Sequence, residues 1–482
     1  MAQKIIGRLK ETQELTDLYN SKRPEFVVVQ GRRRVGKTYL IRELFQDEFA
    51  FYHTGLSPAE SNIEDKTVLQ NQLDAFFTSL VRFGYMGKTI SSWLQAFDAL
   101  TTLLEGKGKE KRQLVFIDEL PWLDTPRSGF MPAFEHFWNG WGAGRSNLML
   151  IVCGSATSWI SDKILNSKGG LFNRTTYEIK LEPFCLKECE DFYKDRGVMM
   201  SRLDQLQAYM VTGGIPYYLS LIRKGRSIAQ NIDDLFFAKD AKLGQEFDRL
   251  FNSLFANPEV NKKIIRQLGK KRYGMTRKEL SGASGITSGG SLTGSIKALE
   301  ASGFIGSFNN YDGPRTDVRY RVIDSFCLFW LYFKDKKKTT NERFWQDNLI
   351  SPMLNAWRGY TFENICFLHV RQIKSALGIA GVQTETMPWL SRRKEGGAQI
   401  DMVIDRADNV INICEMKFSG SDYTIDKDTD EELRGIIDAF QSETHTKKSL
   451  QLTLITTFGL VRNQYSNSVQ SLVRMDDLFK LI

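Results

Sequence analysis

At 482 residues the chain has room for about three domains. Its 42% hydrophobic and 25% charged residues exclude bulk disorder and predict packed globular structure. The net charge of +8 and pI near 9.0 favour an anionic partner such as nucleic acid, although a modest Lys and Arg excess also occurs on inert surfaces. Six cysteines (Cys153, Cys185, Cys189, Cys327, Cys366, Cys414) lie mostly in apolar segments without CxxC spacing, which signals neither a zinc site nor a disulfide framework. Cys185 and Cys189, four apart, read as packing on one helix face. The start Met1-Ala2-Gln3-Lys4 leads into no long apolar run, so no leader is expected. The apolar segment Phe326 to Phe333 is far shorter than the ~20 residues that span a bilayer. The expectation is a cytoplasmic protein with no membrane partner.

Ile5-Ile6-Gly7-Arg8 opens the fold ahead of a helix rich in Glu, Leu and Thr; Gly-Arg at this distance would place Ile5 or Ile6 near an adenine. The strand Phe26-Val27-Val28-Val29 runs into Gly31-Arg32-Arg33-Arg34-Val35-Gly36-Lys37-Thr38, followed by the helical spacing of Tyr39 to Phe45. This fits G-x-x-x-x-G-K-[ST] in the strand–loop–helix context that the phosphate-binding loop requires. The glycines let the backbone N–H groups face a polyphosphate, and the helix N-terminus adds a positive dipole end. Lys37 would reach the β- and γ-phosphates and Thr38 would hold Mg²⁺. Gly31 to Thr38 and Tyr39 are therefore candidate nucleotide contacts.

Ala50 to His53 reads as the second strand, with His53 structural. Residues 60–112 read as helices and polar connections, ending in the basic loop of Lys107, Lys109, Lys111 and Arg112. Gln113 to Leu120 then gives apolar residues closing in Asp118-Glu119, as a buried parallel strand does at its C-terminal end. Asp118 would hold Mg²⁺, and Glu119 would orient or deprotonate the attacking water. A further strand, Leu148 to Cys153, ends in Gly154-Ser155; Ser155 is either a γ-phosphate sensor or part of a simple turn.

Gly7-Arg8, the phosphate loop, Phe116 to Leu120, Cys153-Gly154-Ser155 and Leu171-Phe172-Asn173-Arg174 together resemble an AAA+ or STAND-type P-loop ATPase, close to the archaeal-type ATPase family. That resemblance implies ATP and Mg²⁺ as cofactors. It also implies that Arg174 serves as a finger or sensor on the γ-phosphate; a structural or exposed arginine is the alternative. Thr176 to Leu181 reads as a strand, which Glu182-Pro183-Phe184 breaks. Helical patterns follow, then Gly213-Gly214-Ile215-Pro216-Tyr217-Tyr218, with Pro216 suited to a first helical turn. This element resembles the Gly-x-Pro segment of STAND ATPases, which packs near the nucleotide, so Pro216 joins the candidate nucleotide contacts and residues 181–255 read as a helical lid.

Lys262 to Leu268, Thr276 to Leu280 with a capping box, and Ser291 to Glu300 read as three helices. Phe304-Ile305 and Val318 to Val322 read as a hairpin around Asn309 to Arg315. Three helices and a hairpin form the winged-helix pattern, whose third helix can enter a DNA major groove. That helix carries only Lys297 as a cation, so Lys270, Lys271, Arg272, Arg277 and Lys278 are the stronger phosphate candidates. A protein-binding winged helix remains the other reading.

Further on, Trp357 to Ile365 reads as a helix, and Ala398 to Ile404 and Val410 to Lys417 as adjacent strands. Alternation puts Glu415 and Lys417 on one face, where Asp401 can join them. Two carboxylates can bind Mg²⁺, and a lysine beside them can position water for attack on a phosphodiester; the other reading is a hairpin with ordinary surface charges. The pattern resembles the PD-(D/E)xK nuclease fold, with Ile400 where the named motif has proline. The resemblance implies a core triad of Asp401, Glu415 and Lys417, with Asp401 and Glu415 as metal ligands, and Glu363 as an additional helix carboxylate.

The expected fold class is α/β. An AAA+-like P-loop NTPase core (1–180) precedes a helical lid (181–255), a winged helix (256–325), a connector (326–345) and a restriction-endonuclease-like domain (346–482). The expected function is ATP binding and hydrolysis that controls a DNA-binding winged helix and a metal-dependent nuclease-like domain. The alternative is an ATP-dependent DNA-binding regulator or signalling switch with an inactive nuclease-like domain. A homo-oligomer or a protein partner is compatible with either.

Overall fold

The computed structural model describes residues 5–57, 65–155, 157–166, 169–255, 257–314, 316–335, 340–392 and 397–482. Arg315, read above as part of the hairpin turn, lies outside the described residues. The chain forms two compact units, Met1–Pro183 with Asn252–Ala256, and Phe184–Phe251 with Asn257–Ile482. Among the described residues no helix is long and apolar enough to cross a membrane.

The first unit is built on five parallel strands: β1 (Glu25–Gln30), β2 (Phe49–Thr54), β3 (Gln113–Asp118), β4 (Leu148–Gly154) and β5 (Tyr177–Lys180), in the order β2-β3-β4-β1-β5. Every residue of β1, β3 and β4 is buried, which is why these segments read as unbroken apolar runs rather than alternating ones. Helices Lys37–Phe45, Asp65–Arg82, Trp93–Gly106 and Phe130–Gly140 connect them. An aromatic core of Phe76, Trp93, Phe97, Phe130 and Phe134 packs largely edge to face or tilted, with Phe76 and Trp93 at 5.5 Å and 83°, the geometry that ring quadrupoles favour. His53 on β2 is 3% exposed, and its Nδ1 lies 2.9 Å from Ser79 Oγ. Burial pulls its pKa down to about 4, so it is a neutral core residue.

In the second unit, helices Leu186–Asp195, Arg202–Thr212 and Pro216–Leu219 come first. Cys189 lies in the first of these, but Cys185 does not: it is the extended N-cap residue, so the pair does not share one helical face. Gly214 holds φ +70°, and a Cβ there would meet Phe184 O at 2.1 Å, which explains the glycine pair before Pro216. Ser325–Phe329 packs against Arg202–Thr212, bringing Phe329 among Phe236, Phe237, Phe333, Trp345 and Trp357.

Helices Pro258–Leu268, Arg277–Ser284 and Gly290–Ala301 accompany a small antiparallel sheet of β6 (Met275–Thr276), β7 (Ile305–Phe308) and β8 (Arg319–Val322), in the order β6-β8-β7. Thr276 and Glu279 form a reciprocal capping box, satisfying two otherwise unpaired N–H groups. A mixed sheet follows: β9 (Thr384–Leu390), β10 (Gln399–Arg406), β11 (Val410–Lys417), β12 (Ser449–Thr456) and β13 (Ser471–Arg474), in the order β13-β12-β11-β10-β9. Strands β9 to β11 are antiparallel neighbours, and β12 and β13 join in parallel. Helices Pro352–Leu368 and Lys427–Thr444 accompany the sheet.

His369, 1% exposed, tethers two helices of this unit. Its Nε2 accepts from Leu186 N at 3.1 Å and its Nδ1 lies 2.8 Å from Ile365 O, which requires the neutral Nδ1–H tautomer. Burial lowers its pKa to about 4, against a weaker pull upward from the Ile365 carbonyl. The unfolded chain therefore binds this proton more readily than the folded one. The stability it confers is full above about pH 6.5 and is lost as pH falls toward 4, a loss of about 3 kcal/mol for this side chain. Denaturant unfolding at pH 7 and pH 4.5 should show that difference in the wild type and a flatter dependence in His369→Gln.

Candidate functional site

The phosphate loop leaves the buried end of β1 and feeds the nine-residue helix Lys37–Phe45. Its curl is set by positive backbone angles at Gly31 (φ +149°), Arg34 (φ +73°) and Gly36 (φ +94°). A Cβ on Gly31 would lie 2.3 Å from Leu181 O, whereas one on Gly36 would meet no atom within 4 Å. The loop is thus pinned on the β5 side and open at the helix N-terminus, where a phosphate would sit. Arg8 anchors it further: its guanidinium donates to Glu182 O at 2.6 Å and Val35 O at 3.4 Å.

Lys37 is 5% exposed, and its Nζ donates to Gly31 O (2.9 Å), Arg32 O (3.2 Å) and Ser155 Oγ (2.9 Å). Thr38 Oγ1 donates to Asp118 Oδ2 at 2.8 Å. The other Asp118 oxygen accepts from Glu119 N at 3.0 Å and from the Cys153 thiol at 2.6 Å. Glu119 sits in the left-handed region (φ 48°) just after β3. Its carboxylate accepts from Ser155 Oγ at 2.8 Å and Ser155 N at 3.0 Å. Loop lysine, helix hydroxyl, strand-end acids and Ser155 thus form one connected set.

Arg32 and Val35 are buried; Arg33 and Arg34 are half-buried, with the Arg33 guanidinium 5.9 Å from the Trp122 ring centroid. Tyr39 is 43% exposed, on the outer face of its helix. Arg174 is exposed in a turn closed by its own N–H to Leu171 O at 3.0 Å. Pro216 is the first residue of a four-residue helix in the second unit. Sequence reasoning missed the Cys153 thiol as a partner of Asp118, although its position just before Gly154-Ser155 was visible. It also underrated Arg8.

These residues fit ATP with Mg²⁺. The loop amides and Lys37 suit a polyphosphate, and the adjacent hard oxygens of Thr38 and Asp118 suit a small divalent cation.

A second set gathers in the second unit. Glu363 projects from Pro352–Leu368, Asp401 from β10, and Glu415 and Lys417 from β11. The register pairs Met402 with Cys414, so Asp401 and Glu415 stand one step further along the same ladder. Lys417 Nζ lies 2.7 Å from Glu415 Oε1. Arg272, expected above to seek phosphate, instead grips both oxygens of Glu363, with Nε to Oε2 at 3.1 Å, and lies 3.6 Å from Asp401. Arg277 is also engaged, with the Thr293 hydroxyl at 2.6 Å and with Ser288 and Gly289.

Burial is the main cause that raises the pKa of all three carboxyls. Asp401 adds to the rise at Glu363 and Glu415, and Arg272 and Lys417 oppose it. Such neighbours favour a cation. Among the described residues no group of three or more His, Cys, Asp or Glu side chains is placed to hold a metal ion. A cation here would rest on Asp401 and Glu415 with water, as Mg²⁺ commonly does.

A family model described as an ATPase domain predominantly from Archaea matches residues 6–222. The chain is 24% identical over 373 residues to the uncharacterized protein MJECL04 of Methanocaldococcus jannaschii, covering 75% of this chain and 76% of that protein. Among solved structures it resembles the Walker-type ATPase PABY2304 of Pyrococcus abyssi (16% identity, TM-score 0.45, 68% of this chain and 96% of that one). It also resembles the ORC2 protein of Aeropyrum pernix, solved as ADPNP–ADP complexes (14% identity, TM-score 0.39, 73% and 97%). Both scores are below 0.5, so the weight falls on the family match and the loop geometry. Over residues 6–222 the chain is similar to that archaeal-type ATPase domain, and the loop, Lys37, Thr38 and Asp118 are arranged as a P-loop ATPase requires.

Proposed function

We propose that ATP binding and hydrolysis in the first unit control a nucleic-acid-binding, nuclease-like second unit. What carries the reading is the convergence of Glu363, Asp401, Glu415 and Lys417 in a half-buried setting, in a chain that also holds an ATPase-like domain. Carboxylates are rarely kept out of water without a function that needs them.

In the ATPase step, Lys37 exchanges the Gly31 and Arg32 carbonyls for the β- and γ-phosphate oxygens. Thr38 and Asp118 would hold Mg²⁺, which neutralises charge on the phosphates. The Cys153 thiol and the Glu119 amide fix the Asp118 carboxylate. Glu119, held by Ser155, orients the attacking water and takes its proton, and exposed Arg174 is free to reach the γ-phosphate.

In the second unit, Asp401 and Glu415 would hold a divalent cation that polarises a phosphodiester. Lys417 positions water, and Glu363 is the further helix carboxylate. The three helices and the β6-β8-β7 sheet serve as a winged helix, with exposed Lys270, Lys271 and Lys278 as phosphate contacts.

Incubation with duplex and single-stranded DNA and Mg²⁺ or Mn²⁺ tests the proposal. The wild type should cleave, Asp401→Ala should not, and Lys37→Ala should lose any dependence on ATP. Absence of cleavage in every buffer would leave the second reading, a nucleotide-controlled DNA-binding regulator. The hold of Arg272 on Glu363 and Asp401 favours that reading, and DNA affinity indifferent to ATP would remove it.

A further inference from the structure

A groove of about 930 Å³ runs across the second unit and is lined in part by Lys263, Arg266, Lys270, Arg272, Tyr332 and Tyr360. Arg272 and Tyr360 also line a small adjoining pocket that holds Glu363 and Asp401. The groove therefore ends at the carboxylates, with Arg272 standing between. Its acidic lining residues are already matched: Asp335 pairs with Arg266 at 3.2 Å, and Glu259 with Lys262 at 2.5 Å. Lys263 and Lys270 are exposed and carry no ion pair among the described residues. The excess charge along the groove is positive, and Tyr332 and Tyr360 are among its lining residues, the combination of residue types that suits a sugar–phosphate backbone with unstacked bases. The volume is that of a few nucleotides of one strand.

We propose that this groove is the track of a single nucleic-acid strand, and that Arg272 is its gate, moving from Glu363 and Asp401 to a backbone phosphate when the strand arrives. The inference rests on the nucleic-acid reading above and adds the substrate form and the order of events. Guanidinium binds phosphate and carboxylate with the same two-pronged geometry, so the exchange costs little. It also uncovers Glu363 and Asp401 only when substrate is present. Arg272 is a positioning residue here: it acts through the carboxylates it releases.

The test is fluorescence anisotropy of the full chain with a labelled single-stranded 12-mer, without divalent cation, over a salt series. Lys263→Glu/Lys270→Glu should weaken binding by at least about tenfold and flatten the log–log salt slope by about 1.4. Glu363→Gln should tighten binding several-fold, because Arg272 is no longer held. Asp401→Asn, a milder release, should move it the same way, and Arg272→Ala should weaken it. Unchanged affinity in the lysine pair overturns the track, and unchanged or weaker binding in both Glu363→Gln and Asp401→Asn overturns the gate. Both outcomes are independent of cleavage, so a protein that binds as described yet never cuts would refute the nuclease activity alone.

Discussion

Replacing Glu119 by glutamine is expected to cut ATP turnover about 10²–10⁴-fold while leaving ATP affinity close to that of the wild type. The amide keeps the size of the carboxylate, and its one oxygen can still accept one of the two Ser155 hydrogen bonds, which now reach separate Glu119 oxygens. What disappears is the ability to take a proton from water. Lys37→Ala should behave differently, losing both affinity and turnover, because this ammonium sits inside the curled loop where the phosphates would replace its carbonyl partners. Nucleotide titration beside a phosphate-release assay separates the two. Equal loss of affinity in both variants would mean that Glu119 holds the loop together rather than acting on water.

The second large effect concerns the core of the second unit. Phe329→Ala should destabilise that unit by about 3–5 kcal/mol. The ring is fully buried, 4.5 Å from Phe236, 5.2 Å from Phe333 and 5.6 Å from Trp345 between centroids. Neighbouring rings are too rigid to close the space left behind. Calorimetry should resolve a lowered transition for this unit, while ATP continues to stabilise the transition of the first. Phe329→Leu, which keeps more of the volume, should lose clearly less. A single unshifted transition in Phe329→Ala would show that the cluster is not the unit's core.

Much of the first unit was legible because each signal is local. A β-branched run, two glycines and a lysine–threonine pair determine strand, loop and helix within about twenty residues of chain, and Asp118-Glu119 announces itself by ending an apolar run. The partners of those groups were not legible, since Ser155 and Cys153 reach Lys37 and Asp118 across more than thirty positions. In the second unit, alternation along β11 put Glu415 and Lys417 on one face, and their 2.7 Å ion pair follows from it. The grip of Arg272 on Glu363 joins residues 91 positions apart. A basic cluster in sequence looks the same whether it faces solvent or a carboxylate, so Arg272 read as a phosphate contact. The cysteine pair was misplaced for a different reason: four-residue spacing implies a shared face only if both residues lie inside the helix, and Cys185 caps it.

The sheet order has a consequence for how the phosphate loop and the acids keep their distance. β4 lies between β1 and β3, so the strand carrying the loop and the strand carrying Asp118 are separated by two interstrand gaps, about 9.6 Å in all. That width is a property of hydrogen-bonded backbone, not of any rotamer, and β4 acts as a spacer gauge. Exchanges among its buried apolar side chains would alter how firmly the gauge is seated, yet not its reading. An insertion that bulged β4 would miscalibrate both halves of the site together.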